Sequence, residues 1–408
     1  MKRLIGVAIA FTLATASAFA QVQVSGQVRA GGELLIIHSD EDTDPQTARL
    51  GESARIDFRV GNDREAGDVG GLIRLQANGG FSRAYAWWRP HNMVRLQFGQ
   101  NSDGDWGTAG FNGWSFTGDA MDLGVARRAT PDMRNSHAIG FYGGMNMQSI
   151  LLSLYPIDGL TVNFGLPLAG PIFNNDRISR ADDAWKRVQA QVVYNISDIG
   201  SVRLTYMGGR GIAGSFNEDG TFNASGIGGR NAPREYFAEG GVFYLSFWSG
   251  GTLVNGLDLN IGLSYEIPVE EEQGDVTVTF QDPMEIGFGA RYTSGAFGVS
   301  FRTAVSLIGS IKSEWTGGSD EWKMPVRLGF TLLPNYNLGS MRVFCQLGLE
   351  LDIPDEGDTG IEWMVNPYVR IPVGGLQFFG GFSIEGWDRG GDNDGVNFRI
   401  PLGVVFTL

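Results

Sequence analysis

Residues 297–307 read FGVSFRTAVSL and alternate between apolar and polar or small side chains. Phe297, Val299 and Phe301 fall on one set of positions, and Ser300 and Arg302 fall on the other. Because successive side chains of a β-strand point to opposite faces, this spacing predicts a strand with one oily face and one hydrated face. A period of two, rather than the 3.6 of a helix, fits the whole segment.

The same alternation recurs along the chain, at residues 22–30, 53–60, 324–332 and 341–350. The polar set is rich in Arg, Gln, Gly and Ser, and the chain has only four lysines beside 27 arginines. A β-sandwich, whose polar face meets bulk water, would favour Lys, Thr and Glu. We therefore predict an all-β fold, a closed antiparallel transmembrane β-barrel with lipid outside and enclosed water inside.

The connections between these strands differ in length on the two sides of the predicted barrel. Short turns, such as those at residues 88–92 and 154–158, alternate with long and often acidic stretches. Short periplasmic turns and long extracellular loops are typical of outer-membrane barrels. We count about 18 strands, with 16 as the alternative, because 61–81 and 137–155 can be assigned in two ways. The long connections are 38–50, 101–136, 168–184, 209–234, 309–322, 352–361 and 387–396.

The first twenty residues have the pattern of a cleaved secretory signal. Lys2 and Arg3 precede an apolar run at 4–13, and Ala18-Phe19-Ala20 provides the small-x-small cleavage site. We predict cleavage after Ala20 and a single barrel domain over 21–408. No run of about 18 apolar residues follows that could form a membrane-spanning helix. The net charge of -14 argues against nucleic acid as a partner.

The last dozen residues carry a more specific signal. Apolar side chains occupy every second position back from the C-terminus, at Phe398, Ile400, Leu402, Val404, Phe406 and Leu408. This pattern resembles the terminal-strand signal read by the barrel-assembly machinery of diderm bacteria. That signal normally ends in Phe or Trp; here Leu408 is last and Phe406 supplies the aromatic. The resemblance implies that Phe406 and Leu408 are assembly residues and that the machinery is a partner.

Taken over the mature chain, the strand pattern resembles outer-membrane porins of 16 to 18 strands. Residues 21–26 and 84–90 are similar in particular to spirochaetal outer-membrane barrels. The resemblance implies location in the outer membrane, contact with its lipid, passive diffusion of small hydrophilic solutes and a homotrimer. It also implies that one long loop enters the lumen as a constriction, which here would be 101–136; the alternative is that 101–136 is an ordinary extracellular loop. The charged residues of that constriction loop would be Asp103, Asp105, Asp119, Asp122, Arg127 and Arg128.

Arginines dominate the face that parity assigns to the lumen. Thirteen of them are expected to line it: Arg29, Arg55, Arg59, Arg74, Arg95, Arg187, Arg203, Arg291, Arg302, Arg327, Arg342, Arg370 and Arg399. Six acids share that face: Asp57, Asp258, Glu266, Glu285, Glu350 and Glu385. This surplus predicts a pore that leans towards anions. The alternative is that arginines and acids pair across strands and only brace the barrel.

The sequence gives little support for catalysis. It has three histidines, and no serine nucleophile motif accompanies any of them. The acidic runs at 40–44, 355–358 and 392–395 lack the spacing of an EF-hand. We predict no enzymatic activity, no metal and no cofactor. The alternatives to a diffusion porin are a substrate-selective outer-membrane channel and a surface-exposed adhesin or structural barrel. Seven aromatic residues are expected in the interfacial belts: Trp87, Trp88, Tyr155, Tyr194, Trp248, Tyr292 and Trp363.

Overall fold

The alternating segments form a closed antiparallel barrel of 18 strands in the computed structural model. The structure describes residues 22–38, 46–62, 65–76, 81–101, 147–169, 188–208, 215–216, 222–223, 241–251, 253–267, 269–273, 276–281, 284–307, 310–315, 318–323, 326–355, 357–388 and 394–407. The predicted fold class is therefore confirmed. Within these residues, no helix has both the length and the apolar character that crossing a bilayer requires.

The barrel is an up-and-down meander in which every strand pairs with its neighbour along the chain. Its strands are β1 (Gln23–His38), β2 (Gln46–Gly61), β3 (Val69–Gln76), β4 (Phe81–His91), β5 (Val94–Asn101), β6 (Met147–Ile157), β7 (Leu160–Ala169), β8 (Gln189–Ile196), β9 (Gly200–Gly208), β12 (Gly241–Trp248), β13 (Leu257–Glu266), β16 (Met284–Ser294), β17 (Phe297–Leu307), β20 (Val326–Leu338), β21 (Met341–Ile353), β22 (Gly360–Val373), β23 (Leu376–Gly381), β24 (Ser383–Asp388) and β25 (Asp394–Thr407). Outside it lie β10 (Ser215–Phe216), β11 (Phe222–Asn223), β14 (Val269–Gln273), β15 (Val276–Gln281), β18 (Ser310–Trp315) and β19 (Gly318–Lys323).

The two regions that the sequence left ambiguous each contain a strand of the barrel, and this settles the number of strands. The region 61–81 contains β3, which pairs with β2 and β4, and 137–155 contains the start of β6, which pairs with β5 and β7. Eighteen strands are therefore correct, and the alternative of 16 is wrong. The barrel closes where β1 pairs with β25, from Gln27–Thr407 to His38–Asn397. The described barrel thus has no open sheet edge, as a structure in lipid requires.

The pieces β23 and β24 make one strand with an irregularity at Phe382. Both pair with β22 on one side and with β25 on the other. Gly381 lies just before the irregularity, where the chain passes close to β22. A Cβ atom on Gly381 would lie 2.2 Å from the carbonyl oxygen of Pro367 and 2.6 Å from the Cβ of Tyr368. Only glycine fits this approach without a shift of the backbone.

We expect Gly381→Ala to destabilise the barrel by about 1–3 kcal/mol, the usual cost of overpacking a tight site. The measurement is urea unfolding of protein refolded into lipid vesicles. Gly360→Ala is the control, because its nearest neighbour would be the Cβ of Asp352 at 3.5 Å, an ordinary contact. Equal unfolding midpoints for the two variants would contradict the expectation.

The outer face of the barrel is apolar and exposed. Leu245, Ile261 and Ile286, in the middle of neighbouring strands, are 46%, 51% and 44% exposed. Tyr265 and Tyr292 border this band on β13 and β16, with Leu257 directly opposite Tyr292. From Leu257 to Tyr265 is eight residues, or about 27 Å along the strand at roughly 3.4 Å per residue. With a tilt of about 40°, the band is about 20 Å tall, close to the ~25 Å of outer-membrane barrels.

Four strands continue the wall beyond this band. The strands β14, β15, β18 and β19 form a separate four-stranded sheet, here called the extension sheet. It joins the connection after β13 to the connection after β17 through the pairing of β15 with β18. The range 309–322, predicted as a long connection, thus contains β18 and most of β19, which pair with each other. Exposed Glu270, Glu314 and Glu321 make the extension sheet acidic, and the hydrogen bond and charge of Glu314 raise the pKa of Lys312.

Candidate permeation pathway

The face of the strands opposite to the apolar band is lined by polar groups, many of them uncharged. Gln97, Gln191 and Gln346 have at most 1% of their surface exposed, as have Asn163 and Asn366. On β7–β9, Asn163 donates through Nδ2 to Gln191 Oε1 at 3.1 Å, and Gln191 donates through Nε2 to the hydroxyl of Thr205 at 3.0 Å. We assign this face to the lumen because it alternates with the exposed apolar residues.

Carboxylates on this inner face have arginine partners. Arg74 donates from Nε and Nη2 to the two carboxylate oxygens of Asp57, at 2.5 and 2.6 Å. Four other contacts pair Arg291 with Asp258 at 3.6 Å, Arg327 with Glu350 at 3.1 Å and with Asp352 at 2.6 Å, and Arg399 with Glu385 at 3.2 Å. These pairs join neighbouring strands, so part of the arginine set braces the wall as the alternative hypothesis expected.

The Arg399–Glu385 pair is the most deeply buried of these contacts, with side chains 4% and 7% exposed. We expect Glu385→Gln to destabilise the barrel by about 3–5 kcal/mol, because it leaves a buried guanidinium without its counter-charge. Urea unfolding in lipid vesicles measures the effect. The double variant Glu385→Gln/Arg399→Gln should recover much of the loss. A single variant as stable as the parent would contradict the expectation.

Three arginines of the predicted set have no carboxylate partner among the described residues: Arg59, Arg203 and Arg342. The Arg59 guanidinium lies 5.3 Å from the centre of the Trp87 ring. Arg342 donates from Nε and Nη2 to Asn335 Oδ1, at 3.1 and 2.7 Å. Arg203 has two buried nitrogens, Nε and Nη1, that find no hydrogen-bond acceptor in the described part of the chain. These cations keep their charge available to a solute.

Arg342 and Arg370 lie directly opposite each other on β21 and β22. Both guanidiniums approach the same ring, that of Phe344, at 4.9 and 5.3 Å from its centre. Phe344 in turn stacks on Tyr368, with ring centres 4.6 Å apart and planes 5° apart. Like charges placed directly opposite each other repel, and the ring partly offsets this through cation–π contact. The pair concentrates positive charge at one point of the wall.

The structure describes the side chains of some of the predicted site residues and not of others. Arg55, Arg95, Arg302 and Arg370 share the inner face with the residues above. The side chains of Arg29, Arg187, Glu266 and Glu285 lie outside the described part of the chain. The constriction residues Asp103, Asp105, Asp119, Asp122, Arg127 and Arg128 also lie outside it. Phe406 belongs to β25, directly opposite Val28 and Leu376, whereas Leu408 falls beyond the described residues.

Three of the seven predicted belt aromatics are on the wrong face. Trp87 is only 3% exposed and donates its indole N–H to the Asn62 carbonyl at 2.9 Å, which places it on the inner face beside Arg59 and Arg95. The Tyr155 ring lies 4.8 Å from the guanidinium of Arg89. Trp248 lies on the inner face of β12, directly opposite Ser201. These predictions were wrong because they were based on residue type. The face that an aromatic residue occupies near a strand end depends on its position in the two-residue alternation. The other four are exposed on the outer face: Trp88, Tyr194, Tyr292 and Trp363.

Sequence reasoning also missed two inner-face acids. Asp352 lies near the end of β21, and Glu362 lies directly opposite Glu350 at the start of β22. Both fall in 352–361 or next to it, the range predicted as a connection, although Leu351 and Ile353 continue the apolar alternation there. Extending the parity of β21 by one step would have found Asp352.

Solved structures share this fold at low sequence identity. OpdL of Pseudomonas aeruginosa is 13% identical, with a TM-score of 0.50, over 95% of this chain and 99% of that one. OpdQ of Pseudomonas aeruginosa is 10% identical, with a TM-score of 0.50, over 95% and 98%. The outer membrane channel DcaP of Acinetobacter baumannii is 10% identical, with a TM-score of 0.50, over 95% and 97%. No protein-family model and no curated protein matches the sequence. The likeness is therefore one of fold.

Proposed function

We propose that the chain is an outer-membrane porin through which small hydrophilic solutes diffuse passively, with a preference for anions. The closed barrel, the apolar outer band and the polar inner face support a water-filled path across lipid. The fold shared with the outer membrane channel DcaP of Acinetobacter baumannii supports the same role. The proposal does not include catalysis.

The observation that carries the anion preference is the charge of the inner face. Eleven of the predicted lining arginines have described side chains, against six carboxylates: Asp57, Asp258, Glu350, Asp352, Glu362 and Glu385. The difference, 11 − 6, is +5 in a chain whose net charge is -14. Low-dielectric walls focus such a charge on the solution inside a narrow pore.

The test is the reversal potential of the refolded protein in a planar bilayer under a tenfold gradient of KCl. An ideal anion pore gives about 59 mV in magnitude with the sign set by chloride. We expect the sign of an anion-selective pore and a value between zero and that limit. A reversal potential with the sign set by potassium overturns the anion preference. Protein that refolds but conducts no current overturns the pore and favours the alternative of an adhesin or structural barrel.

Further partners follow from the same proposal. The outer apolar band would contact outer-membrane lipid, and β25, with Phe406, would be read by the barrel-assembly machinery. Homotrimer formation stays a prediction of the resemblance, and cleavage after Ala20 stays a prediction of the sequence pattern. A substrate-selective channel would differ from a diffusion porin in showing saturable block of the ion current by one class of solute.

A further inference from the structure

Four polar residues form a contiguous patch on the inner face of β9, β12 and β13. Ser201 lies directly opposite Trp248, and Trp248 lies directly opposite Asn260. Arg203 follows two residues after Ser201 on the same face. Directly opposed residues of antiparallel strands have Cβ atoms about 4.5–5.5 Å apart. We call Ser201, Arg203, Trp248 and Asn260 the donor cluster.

Ser201 and Asn260 of the donor cluster are buried, Arg203 and Trp248 are half-buried, and several of their buried polar atoms have no partner in the described part of the chain. Asn260 is 1% exposed and Ser201 is 4% exposed. Five donor atoms lack an acceptor: Ser201 Oγ, Arg203 Nε, Arg203 Nη1, Trp248 Nε1 and Asn260 Nδ2; one acceptor, Asn260 Oδ1, lacks a donor. A buried polar group without a partner costs about 1–3 kcal/mol, and a charged one more. So many unsatisfied donors in one patch indicate a ligand that supplies acceptors.

Small residues flank the donor cluster on β12, β13 and β16. Ser246 lies opposite Arg203, Gly262 lies opposite Ser246, and Gly289 lies opposite Asn260. Asp258, two residues before Asn260, does not neutralise Arg203. It is held by Arg291 at 3.6 Å and accepts a hydrogen bond from the Ser249 hydroxyl at 3.3 Å.

The chemistry of the donors defines the class of ligand. A guanidinium and an indole N–H can only donate, and the one charge of the cluster is positive. Its complement is an anion with several acceptor oxygens, and charge-assisted bonds to such oxygens are the strong ones. A phosphate group has four oxygens to share among five donors, whereas a carboxylate has two. We propose that the donor cluster binds a phosphate group in the permeation path. This inference rests on the proposed pore function.

The test measures chloride current through single channels while inorganic phosphate is added at constant ionic strength. Glycerol phosphate and acetate form two further arms, which separate free phosphate from a phosphate ester and from a carboxylate. We expect saturable block by phosphate and much weaker block by acetate. Block by glycerol phosphate equal to that by inorganic phosphate would assign the site to phosphate esters as well.

The variants locate the block. Trp248→Phe removes one N–H and keeps an aromatic ring, and we expect it to raise the apparent dissociation constant for phosphate several-fold. Arg203→Gln should raise it tenfold or more. Trp363→Phe is the matched control, because that indole lies on the outer face and should change neither the current nor the block. If Arg203→Gln fails to refold, Asn260→Leu together with Trp248→Phe carries the test.

The outcomes separate the two proposals. An anion-selective pore that phosphate does not block, or that phosphate blocks equally in the parent and in Trp248→Phe, overturns the phosphate site and leaves water as the partner of the donor cluster. A cation-selective or closed barrel overturns the proposed function itself.

Discussion

Removal of residues 394–408 should abolish the barrel. That deletion takes away β25, which pairs with β1 on one side and with β23 and β24 on the other. Both neighbours would then present rows of unpaired backbone N–H and C=O groups to lipid, where no water can satisfy them. We expect no compact, heat-modifiable band on gel electrophoresis and no conductance after refolding into lipid vesicles.

Refolding of the purified chain separates strand pairing from recognition by the assembly machinery. Deletion of Leu408 alone is the control, since the pairing of β1 with β25 begins at Thr407. This control should refold to a conducting barrel. A chain without 394–408 that still conducts would show that β1 can pair directly with β24, and that closure does not need β25.

Reversal of two opposed charges in the wall should lower the preference for anions strongly. The double variant Arg342→Glu/Arg370→Glu changes the inner-face charge by four units, from +5 to +1 among the described side chains. Because the two guanidiniums flank one ring at 4.9 and 5.3 Å, their charge acts at one point of the path. We expect the ratio of chloride to potassium permeability to fall several-fold in bilayer reversal-potential measurements.

The matched control makes the same formal change outside the membrane. Lys312→Glu/Lys323→Glu reverses two charges of the extension sheet, where Lys323 contacts Asp355 at 2.5 Å. Exposed charges there are screened within about 10 Å at 0.1 M salt, so this variant should keep most of the anion preference. The milder Arg342→Gln/Arg370→Gln should show about half the effect. Equal shifts in the inner and outer variants would contradict a selectivity set by the wall.

The fold could be predicted from the sequence because lipid enforces the alternation. On β17 and β20 every outward position must be compatible with lipid, so the two-residue period survives over the whole strand. Registers and closure could not be derived, because they depend on partners far apart in the chain. The pairing of Gln27 with Thr407 is an example.

The candidate site could be predicted only in part, for the inner face is under a weaker constraint. A hydrated inner face can contain aromatic residues, and Phe344, Tyr368 and Trp87 occupy positions on it beside arginines. They interrupt the row of polar residues that was expected there. The alternation of the sequence places Arg203 and Arg342 on the inner face of their strands. It could not reveal that Arg342 donates to Asn335 whereas two nitrogens of Arg203 have no described acceptor. Partners on neighbouring strands, and not the residue type, decide which cation stays available.

An even number of strands returns the chain to the rim from which it set out. Gln23 at the start of β1 and Thr407 at the end of β25 therefore lie on the side of the short turns. A reporter domain fused after Thr407 would remain within the envelope and never be displayed to the medium. Display of a foreign peptide would instead need an insertion into one of the long connections, such as the one between β13 and β16. The topology thus separates the positions open to cell-surface engineering from those open to periplasmic tagging.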